Sequence, residues 1–346
     1  MVKRNCIKTP KKKAEKIRKI LIEKKALDQD KKVKKKEGKI IFPLKENTNP
    51  EKIKKELQKE VKVVKEEIKS KNRKPKSLKQ ALKEKFNEEE MKKLVTSFDI
   101  IGKIAVLEIP EELQEKEKEI GKAIMKVHPN VETVCKRERK TKGRYRIRKV
   151  YPIAGKEKTE TTHKEHGVRI KVDLNKSYFN PRLSREREII ADKVKDDEKI
   201  GYLFAGTGPF GLVIAEKNKE KNIDITAVEL NPDAYEYLEE NILLNGFTEK
   251  IEPVHKDVKK LKGYEFDRAI MTMPIYSEEY LDSVLKNTSE EAIIHYYSLG
   301  KEPNYYEKPK QEIERHIEKF EILDKREVLS YAPGKKEVVL DVKLLS

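Results

Sequence analysis

Apolar and polar residues alternate in blocks over the second half of the chain. Runs that predict β-strands lie at 199–204, 223–230, 250–255, 266–273 and 291–297. Between the first three of them, helical spacing predicts helices at 209–217 and 232–245. Strands that alternate with helices favour a parallel sheet with right-handed crossovers. Two later runs, EILDKREVLS and EVVLDVKLL, predict an antiparallel pair of strands that closes this sheet.

The first 80 residues form shorter and more polar segments. Helical spacing over 11–27 predicts a basic helix, and GKIIFPL (38–44) predicts a short strand. Residues 50–70 fit either a strand or a helix. Residues 70–80 are polar and basic and contain a proline, so we expect a linker there.

The segment after this linker has a mixed pattern. FDIIGKIAVLEIP (98–110) predicts a strand or a hairpin, 111–129 predicts an amphipathic helix, and short strands follow. We therefore expect three domains: a small basic α+β domain at 1–75, a second α+β domain at 76–180 and an α/β domain at 181–346.

The charge is concentrated at the front of the chain. The 346 residues are 36% hydrophobic and 41% charged, with a formal net charge of +18. Residues 1–80 hold 30 Lys and Arg against 11 Asp and Glu, whereas 181–346 hold 26 against 34. Such a front end favours a polyanion partner, because Lys and Arg displace the counterions of phosphates. A lysine-rich solvated surface is the alternative.

A second basic run is richer in arginine. Residues 136–149 contain nine Lys and Arg and one Glu. The arginines are Arg137, Arg139, Arg144, Arg146 and Arg148. The planar fork of arginine binds two phosphate oxygens at once, so this run favours nucleic acid. Over residues 144–148 the arginines alternate with apolar residues, which predicts a strand with its arginines on one face or a plain solvated edge strand.

Cysteine usage and hydropathy limit the class of protein. Cys6 and Cys135 are too few for a disulfide framework, and no zinc pattern is present, so we expect two inert thiols and no metal site. No apolar run approaches the roughly 18 residues of a membrane helix, and the N-terminus lacks an apolar signal segment. These features predict a cytoplasmic protein that does not associate with membranes.

The turn after the strand at 199–204 carries the clearest chemistry. Gly206 and Gly208 allow the backbone to approach a ligand closely, and Glu229 ends the next strand, where it can accept the two ribose hydroxyls of an adenosine cofactor. Asp257 follows the third strand, where it can bind the adenine amino group. With two tight glycines and Pro209, a dinucleotide fits poorly, so the pattern favours S-adenosylmethionine. A glycine turn without a ligand is the alternative.

The run YFNPRLSRERE immediately precedes the α/β domain. We expect Ser184 to cap a helix that begins in this run. Glu186 then lies near Arg182 and Arg187, which would surround a carboxylate with cations. An ordinary ion-pair cluster on a helix is the alternative interpretation.

Together these motifs resemble a family: the archaeal and eukaryotic tRNA (guanine-N1)-methyltransferases that act at position 37, beside the anticodon. The resemblance rests on YFNPRLSRER, FAGTGPFG, ELNPDAYEYLEENILLN, FDRAIMTMP, IIHYYSLG and SYAP. It extends to RKILIEKKAL and FPLKE near the front, so it covers nearly the whole chain. It implies a class I methyltransferase with a Rossmann-like sheet, S-adenosylmethionine as the cofactor, and a small N-terminal domain that grips the tRNA elbow.

The resemblance also implies roles for individual residues. Glu186 corresponds to the general base, Arg146 to a second catalytic residue, and Arg187 to an arginine near the cofactor. Guanine N1 must lose a proton before it attacks a methyl group, and a guanidinium can stabilise the charge that builds on O6. We expect cofactor contacts from Tyr178, Arg187, Phe204, Gly206, Gly208, Glu229, Leu230, Asp257, Val258, Thr272 and Pro274. We expect contacts to the anticodon stem-loop from Arg137, Arg139, Arg144, Arg148 and Arg182.

Two positions depart from the family pattern. Tyr202 stands where the family usually has Asp, and Thr272 stands where it usually has Asn. An altered acceptor loop is compatible with a broader enzyme that also methylates a tricyclic wyosine intermediate, 4-demethylwyosine, at position 37. Two further alternatives are an aminocarboxypropyl transferase, which usually has Tyr in place of Pro209-Phe210, and a tRNA-binding protein with a decayed cofactor site. We expect a monomer.

Overall fold

The chain divides into two compact units. The computed structural model describes residues 2–57, 61–69, 75–138, 145 and 147–345. The first unit is Met1–Pro75 and the second is Lys76–Ser346. The predicted boundary at 180/181 falls inside the second unit and stays a prediction.

The first unit is an antiparallel sheet with two helices. Its elements are β1 (Val2–Pro10), α1 (Ala14–Glu23), β2 (Lys34–Lys36), β3 (Lys39–Pro43), α2 (Pro50–Glu56) and β4 (Lys62–Ile68). The strand order is β2-β3-β1-β4. Ile17 and Leu21 bury one face of α1 against this sheet. The segment 50–70 contains both predicted alternatives in succession, because the Asn49 side chain caps α2 and the chain returns as β4.

The second unit begins with a mixed α/β region. Its elements are α3 (Leu78–Leu82), α4 (Glu88–Lys93), β5 (Asp99–Ile101), β6 (Ile104–Leu107), α5 (Glu117–Val127), β7 (Thr133–Arg137), β8 (Val150–Gly155), β9 (Glu160–Glu165) and β10 (Val168–Asp173). Strands β5 to β8 form one sheet in chain order, and β9 pairs with β10. The hairpin and the amphipathic helix are confirmed.

Two expectations for this region are met only in part. The boundary between the two units, after Pro75, falls inside the predicted linker 70–80, and residues 144 and 146 of the predicted strand lie outside the described residues. Residues 78–80 belong to α3 rather than to a linker, because Ser77 caps the helix by accepting a hydrogen bond from the Gln80 amide. In the basic run, the described residues 145 and 147–149 lie outside every named strand, and β8 begins only at Val150.

A seven-stranded sheet forms the rest of the second unit. Its elements are α6 (Ser184–Lys193), β11 (Glu198–Leu203), α7 (Pro209–Lys217), β12 (Ile223–Glu229), α8 (Pro232–Asn245), β13 (Ile251–His255), β14 (Phe266–Met271), α9 (Leu281–Leu285), β15 (Thr288–Lys301), α10 (Glu307–Glu314), β16 (Phe320–Ala332) and β17 (Lys335–Leu344). The order is β13-β12-β11-β14-β15-β17-β16. The first five strands in this order, from β13 through β12, β11 and β14 to β15, are parallel to one another. The antiparallel strands β17 and β16 complete the sheet.

This topology confirms the predicted class I methyltransferase sheet. The central strands are buried on both faces, as in α/β folds whose helices cover the sheet on both sides. In the register of the sheet, Leu203 pairs with Val228 on one side and with Met271 on the other. The residues that follow these three positions, Phe204, Glu229 and Thr272, therefore share the carboxyl edge, where ligands bind in such sheets.

The described part of the chain lacks two features, a membrane-length helix and a metal cluster. None of its helices is long and apolar enough to cross a membrane. None of its His, Cys, Asp and Glu side chains forms a group of three or more that could hold a metal ion. Cys6 and Cys135 are buried free thiols, and burial raises their pKa values to about 11 and about 12.

Candidate active site

The turn between β11 and α7 has an unusual backbone. Phe204, Gly206 and Gly208 have φ values of 63°, 56° and 88°, in the left-handed region. A Cβ on Gly208 would lie 2.6 Å from Cδ1 of Leu238, so both the backbone angle and the available space require glycine there. Strained residues of this kind cluster at ligand sites.

Glu229 is bound to this turn. Its Oε2 accepts a hydrogen bond from the Gly206 amide at 2.6 Å, and its Oε1 accepts from the amides of Leu230 at 3.0 Å and Asn231 at 2.7 Å. Burial raises the pKa of Glu229, and these three amides oppose that shift. Since each carboxylate oxygen has two acceptor positions, Oε2 keeps one for a further donor such as a ribose hydroxyl.

The neighbouring strand ends carry the other expected cofactor residues. Asp257 caps the short helix Val258–Lys260 by accepting a hydrogen bond from the Lys259 amide at 3.0 Å. The hydroxyl of Thr272 lies 3.3 Å from the carbonyls of both Leu203 and Phe204. The two strand ends therefore lie at the same edge as the glycine turn, with Pro274 two residues beyond Thr272.

Glu186 lies on α6 and is 6% exposed. Arg326 donates to it twice, from Nε to Oε2 at 3.0 Å and from Nη2 to Oε1 at 2.5 Å, and the Tyr297 hydroxyl donates to Oε1 at 2.6 Å. Oε1 is thereby fully occupied, whereas Oε2 keeps one acceptor position. Glu186 is thus an oriented carboxylate that can take one more donor.

Aromatic rings connect Glu186 with the glycine turn. The Tyr297 ring lies 6.1 Å from that of Phe210, the second residue of α7, and Phe210 lies 5.7 Å from Tyr202. All three side chains are at most 2% exposed. This packing fixes the distance between the carboxylate and the turn.

The expectation that Arg182 and Arg187 surround Glu186 is wrong. Arg187 is 1% exposed and donates to Glu165 at 2.5 Å and 2.9 Å, and its guanidinium lies 5.8 Å from the Phe210 ring. Arg182 is exposed and donates to Asp99 at 2.7 Å. Arg187 follows Glu186 directly and so lies on another side of the helix, and Arg182 precedes α6; spacing alone therefore did not identify the partner.

The predicted helix cap is also wrong. Leu183 occupies the cap position of α6, and Ser184 is the first helical residue. The Ser184 hydroxyl lies 2.8 Å from Nε2 of His166, and Asn180 caps the preceding short helix by accepting from the Arg182 amide. The helix therefore starts one residue earlier than its sequence suggests.

Arg326 also anchors a buried chain of charged groups. It donates to Asp341 at 2.8 Å, and Nδ1 of His295 lies 2.7 Å from Asp341. Arg268 then joins His295 to Glu198 on β11. Burial lowers the pKa of His295, which is consistent with a neutral ring that accepts from Arg268. This network holds Arg326, and through it Glu186, in one geometry.

The predicted RNA-binding arginines are only partly described. Nη2 of Arg137 lies 3.7 Å from Asp99, the carboxylate that Arg182 also contacts, and Arg148 lies 3.2 Å from Glu108. Arg139, Arg144 and Arg146 lie outside the described residues, so the structure says nothing about the predicted catalytic role of Arg146. Tyr178, which is 61% exposed, accepts a hydrogen bond from Asn180 at 3.3 Å.

Sequence reasoning missed Arg326 and Tyr297, which bind Glu186, and Asp341, which binds Arg326. Glu337 and Asp341 are acids in the otherwise apolar run EVVLD, four positions apart and therefore on one face of a strand. Two acids on the buried face of a strand are a usable signal, because such acids persist only where they have a partner or a function.

Comparison with known proteins identifies the family to which this chain belongs. The TRM5/TYW2 methyltransferase domain matches residues 161–324, the TYW2 N-terminal domain matches 78–159, and the tRNA methyltransferase 5 N-terminal domain matches 6–60. A tRNA (guanine(37)-N(1))-methyltransferase Trm5b of Pyrococcus abyssi is 38% identical over 82% of this chain and 84% of its own length. The chain belongs to the TRM5/TYW2 methyltransferase family.

Two further relatives of this TRM5/TYW2 chain are informative. A solved complex of aTrm5 with tRNALeu has a TM-score of 0.86 at 34% identity and covers 98% of this chain and 99% of the other. A dual-specificity tRNA (guanine(37)-N(1))/4-demethylwyosine(37)-methyltransferase Taw22 of Nanoarchaeum equitans is 39% identical over 43% of this chain and 48% of its own length. The chain is accordingly an enzyme of a methyltransferase family, which confirms the resemblance.

Proposed function

We propose that this protein transfers a methyl group from S-adenosylmethionine to N1 of guanosine 37 in tRNA. The observation that carries the proposal is Glu186, a buried carboxylate with one open acceptor position on Oε2, joined by packed rings to the glycine turn. Membership of the TRM5/TYW2 family and the likeness to Trm5b support the substrate.

The residues of the turn suit the cofactor. Glu229 can accept a ribose hydroxyl at Oε2, Asp257 can accept from the adenine amino group, and Gly206 and Gly208 leave room for the ligand. Tyr178, Arg187, Phe204, Leu230, Val258, Thr272 and Pro274 complete the proposed cofactor set. When bound, S-adenosylmethionine would supply an electrophilic methyl group: its sulfur–methyl bond would break as the N1–CH3 bond forms, and the neutral thioether would leave.

Glu186 performs the proton transfer. The N1–H bond of the guanine breaks as its proton moves to Oε2 of Glu186, and the nitrogen electron pair becomes available for the new N1–CH3 bond. Negative charge develops on O6, where a guanidinium stabilises it. Arg146 is the residue that we propose for this role. The target base must leave the anticodon stack to reach this pocket.

The RNA is held by basic residues. Residues 1–80 carry the largest excess of positive charge, and we propose that this part grips the tRNA elbow. Arg137, Arg139, Arg144, Arg148 and Arg182 are proposed to hold phosphates of the anticodon stem-loop. We propose that the protein acts in the cytoplasm as a monomer.

A second candidate is a dual activity that also methylates 4-demethylwyosine. The likeness to a Taw22 protein favours it. The two candidates share the cofactor site and Glu186, so they differ only in the acceptors they take.

Methyl transfer to tRNA transcripts tests the proposal. Transcripts with guanosine or adenosine at position 37 are incubated with labelled S-adenosylmethionine, and the nucleosides are analysed. We expect 1-methylguanosine only in the first transcript, and a tRNA carrying 4-demethylwyosine tests the second candidate. Label in neither acceptor, with both tRNA and cofactor bound, would contradict both.

A matched pair of variants tests the base. Glu186→Gln is expected to slow single-turnover transfer by roughly 10²–10⁴ while cofactor and tRNA binding are kept. Glu188→Gln changes an exposed acid on the same helix that pairs with Lys217, and it should leave the rate unchanged. Equal rates for the two variants would exclude Glu186 as the base.

A further inference from the structure

A second buried acid, Glu337, lies towards the carboxyl edge of the sheet, where the candidate active site is. Glu337 is in β17, where it pairs with Leu299 on one side and Leu329 on the other, and it is 7% exposed. Its side chain points to the same sheet face as those of Val339 and Asp341, two and four positions further on. Val339 belongs to the core that contains Tyr297, so this face is the one on which Glu186 lies.

Nothing in the structure neutralises the Glu337 carboxyl. Across residues 2–57, 61–69, 75–138, 145 and 147–345, no group donates a hydrogen bond or an ion pair to it. Burial raises its pKa to about 7, and the nearby charge of Glu186 contributes to that rise. An acid of this kind without a cation exchanges a proton near neutral pH.

The surroundings of Glu337 come from several elements. Tyr297 of β15 and Arg326 of β16 both pair with Val339, and both donate to Glu186 of α6. Burial and then the charge of Glu337 raise the pKa of Tyr178, in the loop before α6. Glu337 therefore lies on the same face of the sheet as the two residues that hold Glu186, two positions from Val339 along β17.

Glu186 and Glu337 differ in their partners. Both of its oxygens receive hydrogen bonds from Arg326, which stays charged at every accessible pH. A protonated Glu186 would leave one of these bonds without its charged acceptor in a buried place, and charge-assisted bonds are the strong ones. Glu337 is the neighbouring carboxylate that has no such partner among the described residues.

We propose that Glu186 and Glu337 form a proton-accepting pair, in which Glu337 receives the N1 proton from Glu186 and releases it to solvent. The inference rests on the proposed function. The proton leaves N1 for Oε2 of Glu186, and it then moves to a Glu337 oxygen, either directly or through one water. Glu186 is again a carboxylate bound to Arg326, and each methyl group transferred releases one proton. Glu337 acts through Glu186 and is a relay residue.

The pH dependence of single-turnover methyl transfer tests this relay. The wild-type rate should rise through about pH 7, as Glu337 ionises and becomes able to accept. Glu337→Gln should remove this rise, so that the variant falls about tenfold below wild type at pH 8 and stays within about twofold at pH 6. Glu337→Asp should restore part of the rise. A purely structural role would lower the rate equally at both pH values.

A matched control lies on the adjacent strand. Glu327→Gln removes an exposed acid of β16 that pairs with Lys336, and its pH profile should match wild type. Affinities for S-adenosylmethionine and tRNA are measured for each variant and should be unchanged. If Glu337→Gln is poorly folded, Glu337→Asp alone decides, because a well-folded Asp variant without the pH-dependent rise contradicts the relay.

The outcomes separate the relay from the proposed function. A Glu337→Gln enzyme with the rate and pH profile of wild type would overturn the relay while Glu186→Gln stays slow. Wild-type protein that transfers no methyl group to guanosine 37 would instead overturn the proposed function. A Glu337→Gln rate that is lowered equally at pH 6 and pH 8 would also overturn the relay.

Discussion

Replacing Glu337 with Gln should change the pH dependence of folding stability. Burial and the charge of Glu186 raise the pKa of Glu337 from 4.5 to about 7. The folded protein therefore holds this proton more tightly than the unfolded chain, and stability is lost as pH rises. At 1.36 kcal/mol per pH unit, ionising Glu337 costs about 3 kcal/mol of unfolding free energy between pH 4 and pH 8.

The measurement compares two proteins at each pH. Urea unfolding of wild type and Glu337→Gln is followed by far-UV circular dichroism, since the chain has no Trp. The difference in unfolding free energy should move by about 3 kcal/mol in favour of the Gln variant from pH 4 to pH 8. Any constant cost of the substitution cancels, because only the change with pH is used.

A control and a refuting result complete this test. Glu327→Gln, at an acid whose side chain is 45% exposed, should show a difference that stays flat with pH. Burial is the larger cause of the raised pKa of Glu337. In a protein that already carries Glu186→Gln, the substitution Glu337→Gln should therefore keep most of its pH-dependent effect on stability. A flat difference for Glu337→Gln itself would refute the assignment of a raised pKa to this acid, and with it the physical basis of the relay.

Three further predictions follow from individual contacts. Glu165→Gln removes the carboxylate that pairs with Arg187, whose side chain is 1% exposed. The change should lower the unfolding free energy by about 3–5 kcal/mol in urea titrations. Gly208→Ala should weaken S-adenosylmethionine binding in calorimetry, whereas Gly246→Ala, which has the same left-handed backbone strain (φ 72°) but nothing within 4 Å of its Cβ, should keep it. Tyr202→Phe should cost roughly 1 kcal/mol in thermal unfolding, because its hydroxyl donates to the Ala205 carbonyl at 2.9 Å.

The parts of the fold that the sequence predicted are those with local signals. Helices at 209–217 and 232–245 coincide with α7 and α8, since each begins with a proline at its first helical position and has an apolar face. The glycine turn and Glu229 follow from strand–turn–helix order, which needs no knowledge of distant contacts. Helix α10 was missed because it is short and highly charged, and only Pro309, Glu312 and Ile313 are buried.

The partners of the site residues could not be predicted in this way. Arg326 lies 140 residues after Glu186, and the two meet only because β16 is the last strand in the sheet order and turns its alternate residues towards α6. Closer cations at Arg182 and Arg187 looked better placed in sequence, yet each is taken by an acid from another element. Pairing across a sheet is decided by tertiary packing, which charge spacing along one helix does not record.

Tyr202 and Thr272, the two departures from the family pattern, act on the same piece of backbone. The Tyr202 hydroxyl donates to the Ala205 carbonyl, and the Thr272 hydroxyl lies 3.3 Å from the carbonyls of Leu203 and Phe204. These carbonyls belong to a turn with Phe204 in a left-handed conformation, which persists only where the surroundings hold it. The two hydroxyls supply such support, so the departures preserve the geometry of the turn. A decayed site would not keep donors on this backbone, and this site has two.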